Sequence, residues 1–375
     1  MNKRLLSIDI FRGMTIFFMI VVNTPGSWDY VYAPLRHAKW DGLTPTDLVF
    51  PFFLFIVGVS LFLSNQNGFK QGVIYVRKKA ITRGLTIVLL GLLLNWYPFF
   101  TKSLDQLRIF GVLQRIGISF LCASLLVTII PKKRVWWLVM VLLFTYCLMI
   151  LSVGEGALTL EGNLVRKVDL WLLGENHVYK GYGIPFDPEG LLSTIPSVVT
   201  VLLGYITGAM LTEYPDKTQL IKALIKTGTL LTIFSLILDQ TIIPINKPIW
   251  SASYVLITAG FAMFLLSLLI WIIDIRKWIT LFGKNEHFNP LSRWAEVFHV
   301  FGVNPLVSYI LSGLFVKTAL LIKISDKNLY QWTFSQVYQP YLGDYFGSLV
   351  FAISYALFIW IFAYILYRKE IIIKA

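Results

Sequence analysis

Charge is scarce in this chain. Asp, Glu, Lys and Arg make up 14% of its 375 residues, against about 25% in an average soluble domain, which excludes a soluble globular protein. Cysteine is scarcer. Cys122 and Cys147 both fall inside apolar runs, which suits packing and offers neither a disulfide framework nor a paired metal motif. There is no glycine-rich phosphate loop, no G-x-S-x-G, no H-E-x-x-H and no repeat of fixed period. No metal is therefore expected, and any chemistry must come from scattered polar groups. N-x-S/T sequons are absent too, unexpected for a eukaryotic protein with large lumenal loops, so a bacterial inner membrane is favoured. Histidine occurs only at positions 37, 177, 287 and 299.

Apolar sequence is what the chain has in quantity, with 57% hydrophobic residues and a mean hydropathy of +0.70. A span needs about 20 apolar residues to cross about 30 Å of hydrocarbon. About ten such stretches occur, near 8–24, 47–64, 79–98, 109–130, 134–152, 189–212, 221–241, 250–275, 297–322 and 348–367. This predicts an all-α polytopic membrane protein, a single transmembrane domain over 1–375. Met1–Arg4 resembles the start of a signal peptide, but Asp9 and Arg12 interrupt the run and no A-x-A-like site follows. The first span is expected to be retained.

With the N-terminus cytoplasmic and spans alternating, 21 of the 33 Lys and Arg fall inside, at 3–12, 70–83, 132–134, 217–226, 276–293 and 368–374. An even number of spans then returns the C-terminus to the cytoplasm. The net charge of +13 reads as an inside-positive bias. No nucleic-acid partner is expected; the bilayer is the partner, and exposed helix faces leave room for a homodimer. The outer segments 25–46, 153–188 and 323–347 are long and rich in Trp, Tyr, Gly and Asp. They read as an interfacial cap, as the wall of an extracytoplasmic pocket, or as both.

Ionisable groups near a span are costly to keep, so each asks for a reason. In "RHAKWDGLTPTDLVFP", Thr44 reads as a helix N-cap, Pro45 as the first helical residue and Asp47 as the acid three residues on. Asp47 either closes that cap or holds one ring nitrogen of His37, leaving the other as a base. His37 sits among Trp28, Tyr30, Tyr32 and Trp40, and an imidazole suits general-base work at neutral pH. Asn23 ends the first span, as a helix cap before Pro25 or as a donor to an oxyanion. Asp9 and Arg12, three apart, read as an ion pair.

In "LRIFGVLQRIGISF", read as the fourth helix, Arg108 and Arg115 fall seven apart, two turns along one face, with Gln114 beside them. Arg115 either pairs with Asp47 or Asp239, or lines a tunnel and binds a phosphate or amide. Asp187 reads as the cap of the sixth span, with Glu189 in its first turn or facing a sugar. Asn246 and Lys247 precede the eighth span near Trp250, and Pro305 breaks the ninth after Asn304. His177, His287 and His299 read as loop or interfacial residues.

The blocks "LLSIDIFRGMTIFFMIVVN", "RHAKWDGLTPTDLVFPFFLFIVG", "LRIFGVLQRIGISF", "FDPEGLLSTIPSVVTVLLG" and "INKPIWSASYVL" resemble, in order, the heparan-α-glucosaminide N-acetyltransferase family. The resemblance implies an enzyme that passes acetyl from cytosolic acetyl-CoA to a glucosamine-type amine across the membrane. It puts the active-site histidine at His37 and the first-helix asparagine at Asn23. The residues themselves add Asp47 behind the histidine, a donor path along Arg108, Gln114, Arg115 and Asn304, and an acceptor wall of Trp40, Asp187, Glu189, Asn246, Lys247 and Trp250 as expectations. Direct transfer and an acetyl-histidine intermediate both fit these residues. An O-acyltransferase of cell-wall polysaccharide would use the same parts on a hydroxyl, and a secondary transporter would use Arg115, Asp239 and Asp9 as a solute path.

Overall fold

Most of the apolar runs fold as helices. The computed structural model describes residues 5–101, 103–277 and 290–373; His287 and the basic positions Lys3, Arg4, Lys284 and Lys374 lie outside them. The helices are α1 Leu6–Asn23, α2 Pro45–Gly68, α3 Val73–Trp96, α4 Val112–Ile129 and α5 Val135–Leu151. After α6 Leu164–Leu173 come α7 Thr194–Glu213, α8 Lys217–Thr241 and α9 Ala252–Leu269. The last are α10 Pro290–Val303, α11 Pro305–Leu321, α12 Leu329–Thr333, α13 Gln339–Leu342 and α14 Asp344–Arg368. Among the described residues nine helices are long and apolar enough to cross a membrane, α1–α5, α7–α9 and α14. The protein is an integral membrane protein of helical class.

Two expected boundaries move, while the expected break in the ninth span is sharp: α10 and α11 meet at 91° around Asn304. Pro305 has no N–H to give, and its ring drives Asn304 out of helical geometry, to φ −125° and ψ 57°. Arg108 does not share a helix face with Arg115, because α4 begins at Val112. The backbone ahead of it is held by His177, whose carbonyl accepts from Ile109 N at 3.0 Å and whose Nδ1 lies 2.7 Å from Leu107 O. The sixth span begins at Thr194 instead of capping on Asp187, although the Asp187 carboxylate makes the cap-type bond to Glu189 N and also accepts from a distant guanidinium.

The described residues form two compact units: Met1–His37, Thr44–Phe53 and Leu268–Ala375 in the first, Ala38–Leu43 and Leu54–Ser267 in the second. In the first, α1 and α10 touch backbone to backbone. A Cβ on Gly13 would lie 1.6 Å from Phe298 O, and one on Gly302 2.0 Å from Asp9 O, the close approach that small residues permit between membrane helices. Arg12 Nη1 lies 3.4 Å from Asp9 Oδ1. The chain after α1 is tied to α14, Ser27 N donating to Ser348 Oγ at 3.2 Å, and Tyr330 OH donates to Pro25 O at 2.7 Å. In the second unit α2 and α7 meet in the same way at Gly58 and Gly204. Ser119 and Ser197 join α4 to α7 by a 2.6 Å hydrogen bond between hydroxyls.

Candidate active site

The stretch leading into α2 builds a buried carboxylate behind an accessible imidazole. Thr44 and Asp47 close the helix start: Thr44 N donates to Asp47 Oδ2 at 3.1 Å, and Thr44 Oγ1 lies 2.9 Å from the same oxygen. The other oxygen, Oδ1, lies 2.7 Å from His37 Nδ1. Asp47 therefore caps and orients at once, one oxygen for each task. Its side chain is 1% exposed and that of His37 is 42% exposed, so the carboxylate is shielded while the ring is accessible. When Nδ1–H donates to Asp47, the basic lone pair of the ring is on Nε2. The loop is stiffened on both sides of the histidine. Arg36 Nε donates to Val31 O at 2.8 Å, and Thr46 Oγ1 donates to Pro34 O at 3.1 Å.

Asn23, the last residue of α1, is exposed. Thr24 closes that helix end, its N–H donating to Val21 O at 3.4 Å and its hydroxyl to Ile20 O at 2.8 Å.

The second unit holds the two arginines, in contrasting settings. Arg108 donates to Asp187 through Nε at 2.8 Å and Nη2 at 2.7 Å, and to Glu189 Oε2 at 2.6 Å. Its guanidinium also lies over the Tyr179 ring, 4.7 Å from the centroid. Burial alone would lower its pKa, but the two carboxylates outweigh that and hold it above its ordinary value. Asp187 further accepts from Tyr179 N at 3.2 Å and Glu189 N at 3.0 Å. Asp187 and Glu189 are thus joined to Arg108 in one cluster.

Arg115 is fully buried. Its Nη2 donates to Gly190 O at 3.1 Å and to the Ser193 hydroxyl, and its guanidinium lies 4.9 Å from the centroid of the Trp250 ring. Among the described residues Nε and Nη1 have no partner, nor has Nε2 of buried Gln114. No carboxylate lies within ion-pair distance of Arg115 among the described residues, which corrects the expected pairing with an aspartate. Asp239 instead accepts from Ile245 N at 2.7 Å.

Residues of the expected acceptor wall make hydrogen bonds within the chain. Trp40 is half-buried, donating from Nε1 to Leu158 O at 2.8 Å with its ring edge-on to Phe186. Asn246 is buried, its amide donating to Asp41 Oδ1 at 3.0 Å and accepting from Ile249 N at 2.9 Å. Gly42, at φ 109°, lets the chain turn there, and its N–H reaches Ile245 O at 2.7 Å. Lys247 is half-buried in the same turn. Trp250 is 1% exposed. Its φ of 52° is rare for a bulky residue, and its Nε1 donates to Thr200 Oγ1 at 3.2 Å. In the first unit Asn304 holds the chain after α14, its Nδ2 donating to Ile371 O and its Oδ1 accepting from Ile373 N, both at 2.9 Å.

Asp169 escaped the sequence reading. It is 1% exposed on α6; Oδ1 accepts from Leu191 N at 2.9 Å, and Oδ2 has no partner. Burial, with the Asp187 charge adding to it, pushes its pKa up to about 7. The available signal was its place four residues after Val165, the other buried residue of α6, where one helix face is covered.

Comparison with known proteins bears on the whole of this geometry. The family described as heparan-α-glucosaminide N-acetyltransferase, catalytic, matches residues 4–243. The chain is 29% identical to the mouse heparan-α-glucosaminide N-acetyltransferase over 335 residues, covering 73% of this chain and 50% of the relative. It is 29% identical to the human protein of that name over 431 residues, covering 99% of this chain and 60% of the relative. The chain thus spans between half and three-fifths of the length of these curated relatives.

Proposed function

This chain belongs to the heparan-α-glucosaminide N-acetyltransferase catalytic family, and on that premise we propose that it moves acetyl from acetyl-CoA to the amine of a glucosamine-type sugar. The observation that carries this reading is the contact of 2.7 Å between His37 Nδ1 and the buried Asp47, inside the matched region. A base poised beside an acceptor amine needs an accessible ring held in one tautomer, and Asp47 supplies the hold.

In this reading His37 Nε2 takes a proton from the amine as its nitrogen attacks the acetyl carbonyl. The N–C bond forms, the C–S bond breaks, and the imidazolium returns the proton to the departing thiolate. Asp47 stays ionised opposite the imidazolium, and the Asn23 amide donates to the oxyanion. The donors left over on Arg115 and Gln114 match the amide carbonyls and phosphates of an acetyl-CoA chain, which is what a donor path requires. The basic segments at 70–83, 132–134 and 217–226 support a cytoplasmic donor side, and the absence of sequons supports a bacterial inner membrane.

The test is CoA release by the purified full chain from acetyl-CoA and glucosamine, wild type beside His37→Ala. Amine-dependent release that disappears in a variant still folded and still binding acetyl-CoA is expected. No release with any amino sugar would remove the acceptor from the reading. Failure to bind acetyl-CoA would remove the transferase altogether.

A further inference from the structure

A second polar feature of the second unit lies at the opposite end of α7 from Ser193, about 30 Å along a helix of this length. It is a cavity of about 300 Å³. Lys132 and Lys133 line it from the turn before α5 and Trp136 from the first turn of α5, with Tyr205 and Glu213 from α7 and Tyr214 just after it. Lys132 Nζ lies 2.5 Å from Glu213 Oε1 and 5.5 Å from the centroid of the Phe62 ring. Lys133 has no acidic partner among the described residues. Two lysines but one carboxylate thus line an aromatic-walled space, which leaves one positive charge uncompensated and fits a phosphate better than a neutral ligand.

The surroundings say what carries that phosphate. Beyond Trp136, α5 exposes Trp137, Met140, Phe144 and Leu148, a stripe at helical spacing too large and apolar to face water. Trp and Lys at the end of such a stripe belong at headgroup level. We propose that this cavity binds the phosphate of an anionic phospholipid, with Lys132 and Lys133 on the headgroup and the acyl chains along the exposed face of α5. Glu213 is then a competitor, since the phosphate must displace it from Lys132. The site is independent of acyl transfer, so transfer is not the readout.

Native mass spectrometry of the full chain, offered phosphatidylglycerol or phosphatidylcholine in detergent, reads the outcome directly. Wild type should retain phosphatidylglycerol selectively. Lys132→Ala with Lys133→Ala should lose about tenfold of that retention, and Glu213→Gln should gain severalfold, because it removes the competing charge and keeps the shape. A purely structural ion pair predicts the opposite sign for Glu213→Gln, and that result would overturn the proposal. Equal retention of the two lipids would overturn it as well. So would displacement of phosphatidylglycerol by 3′-phosphoadenosine 5′-phosphate, which would make the cavity a soluble-phosphate site.

Discussion

His37 and Arg108 both reach a carboxylate that is almost wholly buried, and both do so at 2.7 Å. What remains of each group afterwards differs. At His37 the carboxylate takes one ring nitrogen, and the ring stays 42% exposed. At Arg108 two carboxylates and a tyrosine ring surround a guanidinium that has no accessible neutral form. On the function proposed above, the first arrangement is the one suited to turnover, and the second joins chain segments. A short contact to a buried acid does not by itself mark a catalytic centre. The chemistry left over does.

One substitution applied at both places breaks the comparison if it is wrong. Asp47→Asn puts an amide N–H donor opposite His37 Nδ1 and favours the tautomer with its proton on Nε2. Amine-dependent CoA release should fall by about 10²–10⁴-fold, the range of a lost general base, while the chain still folds. Activity within threefold of wild type would mean that Asp47 serves only as a cap.

Asp169 sharpens the second region through pH. Its carboxyl holds a proton up to about pH 7 when folded, whereas an ordinary aspartate loses it near pH 4. Between those values the unfolded chain has released the proton that the folded chain keeps. Stability should fall as pH rises through about 4 to 7 and level off above, by on the order of 4 kcal/mol. Thermal melts in detergent across that window check the sign, and Asp169→Asn should flatten the slope. An unchanged slope in that variant would assign the proton elsewhere.

Asp187→Asn is the counterpart of the Asp47 variant. It weakens a charged hydrogen-bond cluster and should cost roughly 2–3 kcal/mol of stability, seen as a lowered melting midpoint. Turnover per folded molecule should stay within about twofold. A selective loss of turnover at unchanged stability would move Asp187 back to the acceptor wall.

What was legible in the sequence was local. The His37–Asp47 contact spans ten residues, and the cap motif at Thr44 fixes the direction of one partner. The break at Asn304 follows from proline chemistry alone. The Arg108–Asp187 pair spans 79 residues, and nothing in either neighbourhood names the other. One helix start was misread: Asp187 makes the cap-type bond to Glu189 N and also accepts from a distant guanidinium, yet the helix begins only at Thr194. Asn246 and Trp250 have side chains suited to ligands, and their burial is set by packing between distant segments. Asp169 was hidden because one carboxylate on a short amphipathic helix carries no motif.

Asn304 gives the smallest effect and the finest distinction. The sequence reading set it on the donor path, yet both ends of its amide are engaged by the backbone of Ile371 and Ile373, so it resembles Arg108 more than His37. Asn304→Ala removes two hydrogen bonds that an alanine cannot replace, at about 1 kcal/mol each. The residues affected, Ile371 and Ile373, are exposed, where local opening costs little. The expected signature is faster amide exchange at Ile373, with KM for acetyl-CoA unchanged within about twofold. A raised KM with exchange unaltered would mean that the amide leaves the tail to meet the donor. Saturation in the resting chain would then be a poor guide to role, and the contrast between His37 and Arg108 would rest on accessibility alone.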